Sequence, residues 1–205
     1  MKYFLSLLFM CSLAAAPLGA AQPAPDDTDA LELSIDDNLA RPAVPSKART
    51  YVRTAMDQLR RMLLKQGYDV AAIRDGEVLE ITVPCSRLFA AGATELKPSG
   101  TALLRGIGAL AAERRRYKLL LAVHSDDTGD ETYADSITAA RANAVDDLFW
   151  QLSGQQDTNT IPYGLGRDEP VKPNNTRSNR ELNRRLEIYV VPDWGLLELA
   201  GVKRK

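Results

Sequence analysis

Residues 119–152 determine the architecture of this chain, and they read LLLAVHSDDTGDETYADSITAARANAVDDLFWQL. The continuous apolar run from Leu119 to Val123 is typical of a central strand buried on both faces of a sheet. After a polar loop, apolar residues recur every three or four positions and predict a helix over residues 132–152. We expect six positions of this helix to face the core: Ala134, Ile137, Arg141, Val145, Leu148 and Leu152. The expected unit is a strand and a helix packed together with one basic residue between them.

Arg141 is the unusual member of this row, because an unpaired charge in an apolar interior is very costly. It needs an anionic partner, either from the protein or from a ligand. Asp126, in the loop before the helix, is the obvious nearby carboxylate. Two interpretations stay open at this point. The pair is either a buried salt bridge that only stiffens the domain, or a cation and an anion that together bind a zwitterionic ligand such as an amino acid.

Hydrophobic periodicity predicts a second helix and a hairpin before this unit. The helix covers residues 47–66 and ends at Gly67. Its core-facing positions are Val52, Met56, Leu59 and Leu63. Asp75-Gly76 is a strong signal for a two-residue turn between strands over residues 68–74 and 77–83.

The remaining segments complete a two-layer arrangement. Thr132 and Asp135 resemble a capping box at the start of the 132–152 helix. We also predict a helix opened by Pro98-Ser99, a short strand over residues 160–163, a loop over residues 164–179 and a last strand over residues 184–191. The order helix, hairpin, helix, strand, helix, strand describes an α/β (α+β) two-layer sandwich, with helices packed on one face of a mixed β-sheet.

Composition divides the chain into five segments. Residues 1–21 read as a secretory signal peptide, which predicts a location in the periplasm. Residues 22–45 are rich in Pro and Asp and read as a flexible acidic leader. Residues 46–76 hold the first helix and the first hairpin strand, residues 77–191 hold the main domain, and residues 192–205 form a tail with a weak signal for a short docked helix.

Two alternatives to a cleaved and unanchored protein stay open. The apolar run of the signal could remain as a membrane anchor, although it is shorter than the roughly 20 residues that span a bilayer. Cys11 could be a lipoprotein attachment site, although Met10 stands before it where a small residue is preferred. Cleavage would leave Cys85 as the one remaining cysteine, so the mature chain could form no internal disulfide.

Charge and residue types exclude several classes of function. The formal net charge of −1 over 205 residues gives no basis for binding nucleic acid by neutralising phosphates. His124 is the only histidine, so a histidine-based metal site cannot form, and we interpret it as a packed, hydrogen-bonded residue. The acids around Asp126 and Asp130 lack the alternating ligand pattern of a calcium loop. We therefore predict no metal and no cofactor.

Four sequence blocks within residues 77–191 carry a family resemblance. They are the run 89–98, the run 123–126, the set Tyr133, Ile137, Thr138, Arg141, Ala142 and Val145, and finally Asn174, Thr176 and Arg180 with the run 183–187. In their order and spacing they resemble the C-terminal domain of the outer-membrane protein A family, the OmpA-like peptidoglycan-binding domain. The resemblance implies a β/α/β/α/β order and a binding protein rather than an enzyme.

The resemblance also implies a ligand and the residues that hold it. Such domains bind diaminopimelate of the peptidoglycan stem peptide, with the residue matching Asp126 on its ammonium and the residue matching Arg141 on its carboxylate. This agrees with the chemistry of the side chains, since arginine offers a planar fork to a carboxylate and aspartate offers acceptors to an amine. Six positions are candidate secondary contacts: Phe89, Ala90, Ser125, Thr138, Arg184 and Arg185. The implied function is to anchor the outer envelope, or a partner protein, to the cell wall.

Departures from the family pattern keep a second hypothesis open. Ala90 stands where the family usually has Asp or Asn, and Ala134 replaces an asparagine. The alternative is therefore a structural or adaptor module that kept the fold and lost the ligand. A wall hydrolase is disfavoured, because no nucleophile and base, and no pair of catalytic carboxylates, can be identified. An envelope protein could dock on the leader or on the 47–66 helix, and this helix is also a candidate surface for dimer formation.

Overall fold

The computed structural model describes residues 33–154 and 159–204. In chain order these residues form α1 (Ile35–Ala40), α2 (Arg49–Lys65), β1 (Asp69–Ile73), β2 (Val78–Pro84), α3 (Cys85–Leu88), α4 (Pro98–Gly108), β3 (Tyr117–Val123), α5 (Glu131–Ser153), β4 (Thr160–Gly164), α6 (Arg177–Asn183), β5 (Arg185–Pro192) and α7 (Trp194–Leu199). The predicted signal peptide and Cys11 lie outside the described residues. Within the described ranges, no helix is both long and apolar enough to cross a lipid bilayer.

The strands form a five-stranded sheet in the order β1-β2-β5-β3-β4. β3 and β4 are parallel, and the other neighbouring strands are antiparallel. β5 is the last strand in the chain but lies in the middle of the sheet, between β2 and β3. Val123 at the end of β3 pairs with Leu186 near the start of β5. The predicted mixed sheet is confirmed, and the loop after β3 lies beside the segment that leads into β5.

The helices α2, α4, α5 and α7 pack on one face of the sheet and enclose the main core. The α2 stripe is confirmed, since its four predicted core residues are all buried: Val52, Met56, Leu59 and Leu63. The predicted row of α5 is buried from Ala134 to Leu148, whereas Leu152 is only partly buried. Arg141 lies in this row with 6% of its surface exposed. Burial of these apolar side chains provides the main driving force for folding.

The opposite face of the sheet is covered in part by α1, which extends the predicted two-layer arrangement. Asn38 of α1 is fully buried, and its Nδ2 donates to the Tyr163 hydroxyl at 2.6 Å. Lys118 Nζ donates to Asn38 Oδ1 at 2.9 Å and to the Arg41 carbonyl oxygen at 2.8 Å. The prediction of a flexible leader is therefore wrong for its last part, which contains α1. The buried side-chain amide of Asn38 makes hydrogen bonds with residues of β3 and β4, and these bonds hold α1 on the sheet.

Two local predictions differ from the structure. Ile73 pairs with Val78, so the hairpin loop has four residues rather than two, and Arg74 and Asp75 adopt positive φ angles of 49° and 56°. The capping box at Thr132 is also wrong. Asp130 is the N-cap of α5, where its side chain accepts from the Tyr133 amide at 2.7 Å. An aspartate two residues earlier offers the same kind of acceptor, so the helix begins earlier.

The carboxyl-terminal part contains one helix that we did not predict and one that we did. α6 begins inside the segment read as a loop, with Thr176 as an N-cap that accepts from the Asn179 amide. α7 forms in the tail, and its Leu196 and Leu197 are fully buried in the main core. The docked helix of the tail is therefore confirmed, and α6 delivers two charged side chains to the site described next.

Candidate ligand-binding site

A cavity of about 670 Å³ opens at the carboxyl end of β3. Its walls come from α3 and the loop that follows it, from the loop between β3 and α5, from the first turns of α5 and from α6. Five residues predicted as ligand contacts line it: Phe89, Ala90, Ser125, Asp126 and Arg141. Arg184, a predicted secondary contact, lines it as well. The sheet order explains this grouping, because β5 beside β3 brings the segment before β5 to the loop after β3.

Arg141 is held in the cavity wall by two contacts. Its Nε donates to the Ala93 carbonyl oxygen at 2.9 Å. Its guanidinium carbon lies 5.0 Å from the centroid of the Phe89 ring, a cation–π arrangement. Among the described residues, Arg141 makes no ion pair with a carboxylate, so its charge is oriented without being neutralised.

Asp126 is 2% exposed and has partners on both carboxylate oxygens. Oδ1 accepts from the Thr128 amide at 3.0 Å, which closes a turn in the loop. Oδ2 accepts from Nη1 of Arg184. The salt bridge between Asp126 and Arg141, one of the two interpretations from the sequence, is thus absent from the described structure. The two residues line one cavity and are held by different partners.

Arg184 bridges the two acids of the cavity. While Nη1 donates to Asp126, Nη2 donates to Glu181 Oε2 at 2.5 Å. A hydrogen bond from the Ser86 side chain lowers the pKa of Glu181, and the hydrogen bond from Arg184 lowers it further against the effect of burial. Burial alone would lower the pKa of Arg184, but its bonds to Glu181 and Asp126 raise it. Glu181 and this arginine are therefore charged at neutral pH.

Two of the predicted secondary contacts do not line the cavity. Thr138 Oγ1 donates to the Ala134 carbonyl oxygen at 2.8 Å and accepts from the Gly166 amide at 3.1 Å, so it fastens a loop to α5. Arg185 lies on the other face of the sheet, where its Nε donates to Glu187 Oε1 at 2.6 Å. Arg185 is the first residue of β5, and neighbouring residues of a strand point to opposite faces, so it lies on the face opposite Leu186 and does not reach the cavity.

Sequence reasoning missed three charged residues of the cavity. Glu181 and Arg177 lie on α6, and Lys97 precedes α4 with its Nζ donating to the Ser86 carbonyl oxygen. Thr176 was the signal that could have revealed α6, because threonine is favoured at the N-cap. With these residues the cavity contains four cations and two acids: Lys97, Arg141, Arg177 and Arg184 against Asp126 and Glu181. It is therefore suited to ligands that carry carboxylates.

A polar cluster on the opposite face supports the loop that carries Asp126. His124 Nε2 donates to Glu187 Oε2 at 3.1 Å, and the Tyr189 hydroxyl donates to the same oxygen at 2.6 Å. Burial tends to raise the pKa of Glu187, but bonds from His124, Tyr189 and Arg185 outweigh it and lower the pKa to about 2. The prediction that His124 is a packed, hydrogen-bonded residue is confirmed, since it is 1% exposed.

Comparison with known proteins places this fold and cavity in a family. The sequence model of the OmpA family matches residues 88–184. The outer-membrane lipoprotein YfiB of Pseudomonas aeruginosa is 32% identical over 129 residues, which cover 63% of this chain and 74% of the relative. The region matched by the family model therefore contains every residue of the cavity discussed above from Phe89 to Arg184.

Two solved structures share the fold. A MotB-like protein from Desulfovibrio vulgaris superposes with a TM-score of 0.60 at 24% identity, over 71% of this chain and 98% of that chain. The cell wall anchor of the T6SS from Pseudomonas aeruginosa superposes with a TM-score of 0.54 at 23% identity, over 73% of this chain and 99% of that chain. Together with the sequence matches, the mixed sheet and its helices show that the chain belongs to the OmpA family.

Proposed function

We propose that this protein binds peptidoglycan without enzymatic activity, through the diaminopimelate of the stem peptide, and that it anchors the outer envelope or a partner protein to the cell wall. One observation carries the proposal. Asp126 and Arg141 line the same cavity, and the charge of Arg141 is oriented but not neutralised by a carboxylate of the described chain. A ligand with an amine and a carboxylate complements this pair.

The chemistry of the walls supports a zwitterionic ligand. Phe89 and the Ala93 carbonyl oxygen hold Arg141 in one orientation, so little side-chain entropy is lost when a carboxylate binds. The buried carboxylate of Asp126 retains lone pairs that can accept from an ammonium group. The cavity volume of about 670 Å³ leaves room for the peptide on either side of one amino acid.

The names of similar proteins support the cellular setting of the proposal. One relative is an outer-membrane lipoprotein, and one protein of the same fold is a cell wall anchor. We infer a periplasmic protein associated with the outer membrane or the wall, in line with the signal peptide read in residues 1–21. Anchoring requires binding and no bond chemistry, so no nucleophile or general base is needed.

Co-sedimentation with sacculi of the diaminopimelate type tests the proposal directly. The purified protein should pellet with the sacculi, while Asp126→Ala and Arg141→Ala should stay in the supernatant. Arg105→Ala is the matched control, because Arg105 is an exposed arginine on α4 that does not line the cavity. Thermal unfolding followed by circular dichroism confirms that each variant is folded.

A second candidate function is favoured by the contact between Arg184 and Asp126. This ion pair satisfies the acid that should receive the ligand, and Ala90 offers no polar group to the cavity. An adaptor module that has lost the ligand would show both features. In that case wild type, both cavity variants and the control would sediment alike, and Arg141→Ala would mainly lower the melting temperature.

A further inference from the structure

The two partners of the ion pair between Asp126 and Arg184 differ in burial: the aspartate is enclosed and its loop is held in place, whereas the arginine is partly exposed at the rim of the cavity. The loop of Asp126 is held by backbone hydrogen bonds, since the His124 amide donates to Arg185 O at 2.9 Å and the Ser125 amide donates to Gly166 O at 2.6 Å. The side chain of Arg184 is 30% exposed, whereas that of Asp126 is 2% exposed. The arginine can therefore leave without disturbing the core, and the aspartate cannot.

We propose that Arg184 is a displaceable internal cation that exchanges partners with the ligand: the ammonium of the ligand replaces Arg184 on Asp126, and a carboxylate of the same ligand is received by the released Arg184. This inference rests on the proposed function and assigns a specificity role to Arg184. The exchange keeps Asp126 paired with a cation at every stage, which matters because an unpaired buried carboxylate is strongly destabilising.

Glu181 keeps the released arginine close to the cavity. Its Oε2 accepts from Nη2 of Arg184, the nitrogen that does not bind Asp126. The Glu181 side chain is 39% exposed, so this contact lies nearer to solvent than the contact with Asp126. When Nη1 leaves Asp126, the contact through Nη2 holds the guanidinium at the rim, where its free edge can receive a carboxylate.

The two arginines of the site then have different roles. Arg141 is fixed by the Phe89 ring and the Ala93 carbonyl oxygen, so it presents a constant charge. Arg184 is paired with Asp126 and Glu181 and becomes available only when an amine takes its place on Asp126. The cavity therefore selects a molecule that carries an amine and a carboxylate together.

Ligands that carry only one of these two kinds of group bind less favourably, for electrostatic reasons. A diamine that displaces Arg184 leaves it without its buried partner and adds positive charge to a cavity that already contains four cations. A dicarboxylate has no group that can replace Arg184 on Asp126. Binding of either ligand therefore has an electrostatic cost that binding of an amino acid avoids.

The experiment measures dissociation constants for two probes, meso-diaminopimelate and 1,5-diaminopentane, by isothermal titration with NMR titration for weak binding. In Arg184→Gln, we expect diaminopimelate to bind at least about tenfold more weakly, because a charged hydrogen bond is lost. We expect 1,5-diaminopentane to bind at least about threefold more tightly, because the Arg184 guanidinium no longer competes with it for Asp126. Opposite changes for the two probes are the signature of partner exchange.

Two further variants make the result specific. Arg87→Gln removes the same charge from an exposed position of α3 that does not line the cavity, and both constants should stay within about twofold of wild type. Arg184→Lys keeps a cation beside Asp126, so it should continue to exclude 1,5-diaminopentane. If Arg184→Gln does not fold, the dissociation constants of the two probes for Arg184→Lys test the exchange instead.

The outcomes separate this inference from the proposed function. If both probes weaken together in Arg184→Gln, or neither changes while wild type binds diaminopimelate, the exchange is overturned and the wall-binding proposal stands. If wild type binds neither diaminopimelate nor sacculi, both are overturned.

Discussion

The guanidinium of Arg141 lies over the ring of Phe89, with its central carbon 5.0 Å from the ring centroid. The two residues are 52 positions apart in the chain, and their contact joins α5 to the loop after α3. The contact gives a buried cation a weak partner that is not an anion. It therefore stabilises the charge while leaving it able to bind a carboxylate.

Phe89→Leu should separate the role of this ring from simple burial. Leucine keeps an apolar side chain but has no aromatic face, so we expect the free energy of unfolding to fall by about 1 kcal/mol. The affinity for diaminopimelate should fall about fivefold, because Arg141 loses its orientation. Chemical denaturation and isothermal titration measure the two effects. Phe149→Leu, in the core away from the cavity, should lower stability alone, and an equal loss of affinity there would refute the assigned role of Phe89.

Glu187 predicts a pH dependence of stability. Its pKa is lowered to about 2 in the folded protein, so the ionised group stabilises the fold at neutral pH. This contribution, up to roughly 3 kcal/mol, is lost as pH falls from about 4.5, the unfolded value, through the folded value. In Glu187→Gln the difference in unfolding free energy from wild type should thus be largest near pH 7 and shrink towards pH 2. Denaturant titrations at several pH values test this.

The control for Glu187 is a glutamate outside the polar cluster. The side chain of Glu131 is 70% exposed and lies 3.8 Å from Arg167. Glu131→Gln should change the free energy of unfolding by less than about 0.5 kcal/mol at any pH. A difference between wild type and Glu187→Gln that stays constant from pH 7 to pH 2 would contradict the assigned pKa shift.

Asn38→Ala should loosen α1 without affecting the cavity. The substitution removes the acceptor of Lys118 and the donor to Tyr163, and we expect a loss of about 1–3 kcal/mol in unfolding free energy. Hydrogen exchange in residues 35–40 should become faster, while retention on sacculi should not change, because α1 lies on the opposite face of the sheet. Asp36→Ala, at an exposed position of the same helix, should cost less than about 1 kcal/mol. Loss of retention in Asn38→Ala would show that α1 contributes to binding.

Gly100→Ala should displace the cavity wall. A Cβ atom at Gly100 would lie 2.7 Å from the Leu88 carbonyl oxygen and 2.8 Å from the Leu88 Cα atom, so α4 and α3 would have to separate. We expect the free energy of unfolding to fall by about 1–3 kcal/mol. Diaminopimelate should also bind more weakly, because Phe89 follows α3 directly. Ser99→Ala, at the exposed neighbouring position, is the control and should leave both quantities unchanged; equal affinity in Gly100→Ala and wild type would contradict the prediction.

Sequence patterns predicted the elements well where the signal is local. The apolar run that became β3 and the stripe of α2 were confirmed, because a continuous apolar run and helical spacing reflect which side chains can be buried together within one element. The turn at Asp75 and the cap of α5 were placed wrongly by one or two residues, since several neighbouring polar residues can satisfy the same backbone amides. α6 was missed because it is short and mostly polar.

From the sequence alone, the buried position of Arg141 already required a partner, and Asp126 was the candidate carboxylate in the loop before the helix. The tertiary structure assigned different partners, because ion pairs depend on distances in space and β5 inserts beside β3. This insertion brings Arg184 to Asp126 across 58 positions of sequence, while the alternation of the strand turns Arg185 to the opposite face. Local spacing thus determined which residues are buried, and strand pairing decided which charges meet.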